Sequence, residues 1–167
     1  MSSDLTLSYT VEQDRQQVFD AINDVRGWWG EVVGDTTTVG AEWVYAVADI
    51  HFSKFRTTAL IPGERVEWLV VDSHLSFIED KQEWTGTTVR FEIQEESGPD
   101  GPTRLTFTHV GLSPEQECFG VCDTAWRQYV LGSLRNLIRT GVGTPGDFSN
   151  QESLDAALAG TVQSPQV

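Results

Sequence analysis

The chain contains 167 residues, of which 25 are acidic, 11 are basic and six are tryptophan. Its formal net charge of −14 argues against a protein that binds nucleic-acid phosphates or anionic membranes, since both need clustered Lys and Arg. Aromatic residues make up 10% of the chain, which is too many for a disordered protein and enough for one hydrophobic core.

The targeting signals of other compartments are not found in the sequence. No apolar run approaches the roughly 20 residues of a membrane span. The first residues lack the charged and apolar regions of a secretory signal, and two cysteines are too few for a disulfide framework. These patterns predict a cytoplasmic protein.

The first 30 residues are predicted to form one strand and two short helices. Residues 5–11 alternate between apolar and polar side chains, which is typical of a half-buried strand. Asp14 is the predicted N-cap of the first helix. A second helical piece ends in the sequence Gly-Trp-Trp-Gly at 27–30.

Five more strands are predicted before the last helix, at residues 42–50, 52–61, 65–72, 85–95 and 103–110. Turn sequences rich in Gly and Pro occur at 62–64 and at 98–102. The pattern of residues 75–83 is ambiguous, and we interpret this segment as an excursion between two strands. Because most connections are short, neighbouring strands are expected to be antiparallel.

A long C-terminal helix is predicted to begin at residues 113–115, with Ser as the N-cap and Pro at the first helical position. Gly141 is its predicted end. This helix is the only predicted element large enough to cover the apolar face of the sheet, and imperfect closure would leave a cavity. Residues 146–167 are expected to form a polar tail, with 153–159 as a candidate short helix. The apolar stripe of the long helix comprises Phe119, Cys122, Trp126, Val130, Leu134, Leu137 and Ile138.

Five short stretches, spread over residues 5 to about 145, carry a family resemblance. Their order and spacing resemble the START-like, or SRPBCC, superfamily and within it the group named after the activator of heat-shock protein 90 ATPase. The resemblance implies an α+β helix-grip fold over residues 1–145, a curved antiparallel sheet wrapped around a long C-terminal helix. The stretches are Val18-Phe19-Asp20-Ala21-Ile22 with Gly27-Trp28-Trp29; Pro62-Gly63-Glu64-Arg65-Val66-Glu67-Trp68; Glu83-Trp84-Thr85-Gly86-Thr87; Leu105-Thr106-Phe107-Thr108-His109; and Trp126 through Ser133-Leu134.

The same resemblance implies a protein that binds a small apolar or amphipathic molecule in a pocket between the sheet and the C-terminal helix. It does not imply one reaction, because one fold hosts many functions. Two alternatives stay open, a co-chaperone-like activator of a heat-shock ATPase and a pocket-based enzyme such as a polyketide cyclase. The expected partners are a small molecule or a chaperone, with no nucleic acid, membrane or cofactor, in a monomer or a homodimer.

His109 is the most informative single candidate because it shares the inward parity of Leu105 and Phe107. Its imidazole could bind a ligand oxygen or act as an acid or base; alternatively, it is a core histidine bonded to a carbonyl or a Thr hydroxyl. Trp28 and Trp29 are expected near the pocket mouth. The predicted ligand-binding residues are Trp28, Trp29, His51, Trp68, Trp84, Phe107, His109, Cys122, Trp126 and Tyr129.

Cys118 and Cys122 are one helical turn apart and so share a face of the predicted helix. With His51 and His109 they would suit zinc if all four side chains converged. Two cysteines three residues apart on one helix are a weak metal signal, and both thiols are better interpreted as small hydrophobic side chains in the core. No metal site is therefore predicted.

No catalytic residue is predicted either. Asp49, Glu83 and Glu92 would act as general bases only if they pointed into the cavity. Neither the nucleophile motif Gly-x-Ser-x-Gly nor a phosphate-binding glycine loop occurs in the chain.

Overall fold

The computed structural model describes residues 4–47, 50–96, 98 and 101–145. In these residues the chain forms seven strands, two short helices and one long C-terminal helix whose middle is π-helical. The elements are β1 (Leu5–Val11), α1 (Arg15–Asn23), α2 (Val25–Trp28), β2 (Val32–Gly34), β3 (Glu42–Val47), β4 (His51–Ile61), β5 (Arg65–Leu75), β6 (Thr88–Glu95), β7 (Thr103–Val110), α3 (Phe119–Trp126), the π-helical segment Arg127–Leu134 and α4 (Arg135–Thr140).

The strands form one antiparallel sheet in the order β1-β7-β6-β5-β4-β3-β2. Strands adjacent in the chain are adjacent in the sheet, except that β1 pairs with β7. The ladder between β4 and β5 has two register shifts, which bend strands and so help to curve the sheet. The predicted helix-grip architecture, a curved antiparallel sheet with a long C-terminal helix across it, is confirmed.

One strand was not predicted, and several strand boundaries differ from the predicted ones. The three residues of β2 were not predicted, because so short a segment shows no alternation. β5 extends to Leu75, and β6 begins only at Thr88. Residues 84–87 instead form a turn in which Thr87 N donates to Trp84 O and Gly86 N donates to Val70 O. The strand predicted at 42–50 is β3, which ends at Val47; Ile50 lies in a turn and donates to Val47 O, and residues 48 and 49 lie outside the described residues.

The cap of α1 is confirmed. The Asp14 carboxylate accepts a hydrogen bond from Gln17 N at 2.8 Å, and the Gln17 side chain accepts one from Asp14 N at 3.1 Å. This reciprocal capping box satisfies two backbone donors that the helix itself cannot.

The predicted start of the C-terminal helix is wrong. Ser113 forms a local turn instead, with its N–H and its hydroxyl both donating to Gln116 Oε1, and the helix begins at Phe119. The backbone donors of the two residues just before the helix are satisfied from another loop. Glu83 accepts from Glu117 N at 2.8 Å and from Cys118 N at 3.0 Å.

After the C-terminal helix ends, the chain runs back towards α2. Gly141 ends the helix in the left-handed conformation, with φ of 85°, as predicted. Thr144 N then donates to Ser133 Oγ, which donates to Trp28 O, both at 2.7 Å. The polar tail predicted at 146–167 lies outside the described residues. Within the residues described, no helix is both long and apolar enough to cross a membrane.

Candidate functional site

An aromatic cluster fills the space between the sheet and the C-terminal helix. Its central ring is Trp29, which stacks on Tyr45 at 4.1 Å between ring centroids and lies parallel to Trp68 at 6.1 Å. Trp126 enters from the helix and contacts Trp29 at 4.9 Å. The members are Trp28, Trp29, Trp43, Tyr45, Phe55, Trp68, Trp84, Phe91, Phe107 and Trp126.

The expectation that Trp28 and Trp29 lie at a pocket mouth is wrong. Trp28 is 0% exposed and Trp29 is 3% exposed. The indole N–H of Trp28 donates to Ile22 O at 3.0 Å, so α2 directs this ring into the core. Both rings pack directly against other rings of the cluster.

His109 is buried and has a protein partner at each ring nitrogen. Trp126 Nε1–H donates to His109 Nδ1 at 3.1 Å, which makes Nδ1 the acceptor and leaves the proton on Nε2. His109 Nε2 then donates to Thr87 Oγ1 at 2.8 Å, and Thr87 Oγ1 donates to Trp84 O at 2.6 Å. The ring is therefore held neutral, bonded to a Thr hydroxyl as the structural alternative predicted.

His51 lies near the same ring of Trp84. Its Nε2 is 2.7 Å from Ser53 Oγ, and its ring packs edge-on against Tyr45 and Trp84. Trp84 thus lies between two imidazoles, since it also contacts His109 at 4.7 Å. Burial lowers the pKa of both histidines to about 3, so neither is charged near neutral pH.

Four buried hydroxyls form a row across the interior, which we call the hydroxyl belt: Tyr45, Ser53, Ser73 and Tyr129. Ser53 on β4 is in register with Tyr45 on β3 and with Ser73 on β5. Tyr129, from the π-helical segment, lies so close to Tyr45 that the contact between the two hydroxyls contributes to the pKa of both groups. Burial raises the pKa of Tyr129 to about 12. The belt therefore consists of uncharged groups.

Two polar atoms in this interior have no hydrogen-bond partner of good geometry among the described residues. They are the hydroxyl of Tyr129, which is 3% exposed, and the indole nitrogen of Trp68, which is 0% exposed. Buried donors and acceptors are nearly always paired in folded proteins, because an unpaired one costs about 1–3 kcal/mol. The Tyr129 hydroxyl lies beside Tyr45, whose ring stacks on Trp29. The ring of Trp68 lies parallel to that of Trp29.

The two cysteines are buried core residues. Their sulphur atoms are 2.7 Å apart, both thiols are free, and Trp84 Nε1 donates to Cys118 Sγ at 3.2 Å. Burial, and then the neighbouring Cys118, raise the pKa of Cys122 well above its ordinary value. Across the described part of the chain, no three His, Cys, Asp or Glu side chains are grouped to hold a metal ion.

The carboxylates considered as bases are engaged elsewhere. Glu83 caps the C-terminal helix, and Glu92 pairs with Arg65 at 3.5 Å. Asp49 lies outside the described residues.

A separate groove of about 840 Å³ runs along the surface beside α1 and α2. Its lining mixes charged, polar and apolar side chains, including Asp20, Arg26, Thr37 and Val39. None of the predicted ligand-binding residues lines this groove.

The ten predicted ligand-binding residues all lie in the interior between the sheet and the helix, where their proposed role stays a prediction. Sequence reasoning missed Ser53, Ser73 and Trp43. Ser53 shares the inward parity of Phe55 and Thr57, so alternation along β4 could have identified it. Ser73 could not be found in this way, because β5 is shifted in register against β4.

Solved structures share this fold, whereas no family model and no curated protein matches the chain. The Aha1 dimer from Colwellia psychrerythraea has 21% identity and a TM-score of 0.64, over 84% of this chain and 99% of that one. The protein SSP2350 from Staphylococcus saprophyticus has 16% identity and a TM-score of 0.59, over 85% and 96%. DynU16, from the dynemicin biosynthetic locus, has 17% identity and a TM-score of 0.59, over 83% of this chain and 48% of its own.

These likenesses show the fold of the chain. It has the helix-grip fold, and the resemblance found in the sequence is confirmed at the level of the fold. At identities of 21% or less, the comparisons carry the fold alone.

Proposed function

We propose that this protein binds one small, mostly apolar molecule between the sheet and the C-terminal helix, at the aromatic cluster and the hydroxyl belt. The observation that carries the proposal is Trp68 Nε1, a buried donor without a hydrogen-bond partner among the described residues; the buried Tyr129 Oη, beside the Tyr45 hydroxyl, is a second polar group at the site. A ligand oxygen would supply the hydrogen bonds that the protein leaves unmade. The expected location is the cytoplasm, on the sequence patterns alone.

The entry route is proposed to involve Trp29. Most rings of the cluster are fixed on strands or on the long helix, whereas Trp29 follows α2, a helix of four residues. Its ring lies between Tyr45 and Trp68, and a flat or slender ligand that took its place would contact both. Burial of the ligand's apolar surface would supply about 25 cal/mol per Å², reduced by the ordering costs of binding.

An enzyme in the same pocket has less support. His109 has both ring nitrogens occupied by Trp126 and Thr87. His51 faces a serine, and no described carboxylate is buried beside either imidazole. A binding protein is therefore the function that the site supports best.

Titration with N-phenyl-1-naphthylamine, a neutral dye that fluoresces in apolar surroundings, tests the proposal. We expect saturable binding of one dye per chain. Trp29→Leu should bind the dye more tightly, because a ring no longer has to move. Val39→Asp, placed in the surface groove, should leave the affinity unchanged.

Circular dichroism would verify that each variant is folded. Two results would overturn the proposal: no saturable dye binding by the folded protein, or binding that Val39→Asp abolishes and Trp29→Leu leaves unaltered.

A further inference from the structure

We infer that the ligand of this site is uncharged and carries a hydrogen-bonding oxygen, as an alcohol, phenol, ketone or ester does. The inference rests on the proposed function and narrows its ligand class. It comes from the charge distribution of the interior, together with the buried polar atoms on which the proposed function also rests.

The described part of the chain has no buried Lys, Arg, Asp or Glu side chain. All eleven Lys and Arg residues belong to the described part of the chain, and none of them is buried. The buried polar side chains in that part are Thr36, Ser53, Thr57, Ser73, Thr103, His109, Ser113 and Ser133, with no Asp or Glu among them. A charged ligand would therefore find no ion-pair partner inside.

Protonation of two histidines would place charge in the interior. His109 is buried with its ring against Trp84 and Trp126, and the half-buried ring of His51 packs edge-on against Tyr45 and Trp84, so these apolar surroundings disfavour the protonated form of both. His109 also has no free nitrogen for a ligand. Neither imidazole can therefore act as a cationic partner for a carboxylate or a phosphate at neutral pH.

Burial of an ion in such an interior is costly. An ionised carboxylate or ammonium moved into an apolar interior without a partner loses several kcal/mol even after relaxation. For an anion the net charge of −14 adds an unfavourable long-range field. A neutral oxygen has no such cost and matches the groups that are present.

Two polar groups of the interior match a neutral ligand oxygen. The Trp68 indole N–H can only donate, and the Tyr129 hydroxyl can donate or accept. The Trp68 N–H is unpartnered among the described residues, and the Tyr129 hydroxyl lies beside that of Tyr45 without a hydrogen bond of good geometry. A ligand oxygen could accept from either group, whereas a pure hydrocarbon would leave the Trp68 N–H unpaired.

Competition against bound N-phenyl-1-naphthylamine tests the inference with three probes of equal chain length: octan-1-ol, octanoate and octylammonium. We expect the alcohol to displace the dye, and both ions to do so about tenfold less well or worse. Equal displacement by octanoate or octylammonium would overturn the inference while leaving the proposed function intact. Absence of dye binding would instead overturn the proposed function.

A matched pair of variants tests the polar contact. Tyr129→Phe and Tyr9→Phe each remove one buried hydroxyl that lacks a partner, but Tyr9 lies on β1 beneath Arg135, apart from the belt. We expect Tyr129→Phe to lower the affinity for octan-1-ol several-fold relative to the affinity for octane. Tyr9→Phe should leave the ratio of the two affinities unchanged. Both should keep or raise the melting temperature. If the two variants had the same ratio of octan-1-ol affinity to octane affinity, the assignment of the hydroxyl belt as the polar contact of the ligand would be overturned.

Discussion

At His109, two hydrogen bonds determine the protonation of the ring. Trp126 can only donate, so Nδ1 must accept, and the remaining proton on Nε2 is directed at Thr87. A protonated ring would lose the bond to Trp126 and would be buried with a charge. This residue therefore stabilises the interior as a neutral group.

The lowered pKa values of the histidines predict acid sensitivity. The folded state binds a proton at His51 or His109 only near pH 3, whereas an unfolded histidine binds one near pH 6.5. Their contribution is complete above about pH 6.5 and is lost as the pH falls towards 3. Each histidine then lowers the unfolding free energy by about 1.4 kcal/mol per pH unit.

Urea unfolding of the wild type and of His51→Gln, at several pH values between 7 and 4, measures this effect. The stability difference between the two proteins should shrink as the pH falls, and the exposed His74→Gln should serve as the control. Carboxylates such as Glu42, whose pKa is lowered by Arg56, contribute equally to both proteins and cancel. A difference independent of pH would contradict the prediction.

At the scale of elements, two loops cap each other at the start of the C-terminal helix. Glu83 accepts from the N–H groups of Glu117 and Cys118, and the Glu117 carboxylate accepts from those of Glu79 and Asp80. The excursion after β5 thereby positions both the helix and Trp84, whose indole bonds to Cys118.

This reciprocal cap predicts that Glu83→Gln destabilises the protein. One acceptor oxygen is replaced by an amide that cannot accept, so one backbone donor loses its partner, at a cost of about 1–2 kcal/mol. Glu79→Gln keeps the backbone contacts of the loop and should change stability by less than about 0.5 kcal/mol. Equal unfolding free energies for the two variants would contradict the role of Glu83.

The helix boundary also shows where sequence reasoning ends. Ser-Pro-Glu at 113–115 is a good local start signal, yet the actual cap comes from a side chain 34 positions earlier. A pattern of neighbouring residues cannot reveal a contact between residues so far apart in the sequence. Alternation did place His109 on the inner face of β7, because a strand facing one core repeats every two residues.

At the scale of the whole molecule, the sheet and helix enclose an aromatic interior with an uncharged polar row. The order of elements was predictable because each strand and helix has its own period and turn residues. The depth of Trp28 and Trp29 was not, since it depends on how α2 folds under the sheet. The hydroxyl belt depends likewise on strand register, which sequence alternation alone leaves open.

Binding of a small molecule between the sheet and the helix is tested most directly by the indole ¹H–¹⁵N resonances of the tryptophans, followed while octan-1-ol is added. Trp28, Trp84 and Trp126 already donate to Ile22, Cys118 and His109, whereas Trp68 has no acceptor among the described residues. We predict that the Trp68 resonance shifts most, downfield and to saturation. Unchanged indole resonances, with shifts only at the surface groove around Thr36 and Thr37, would contradict the account.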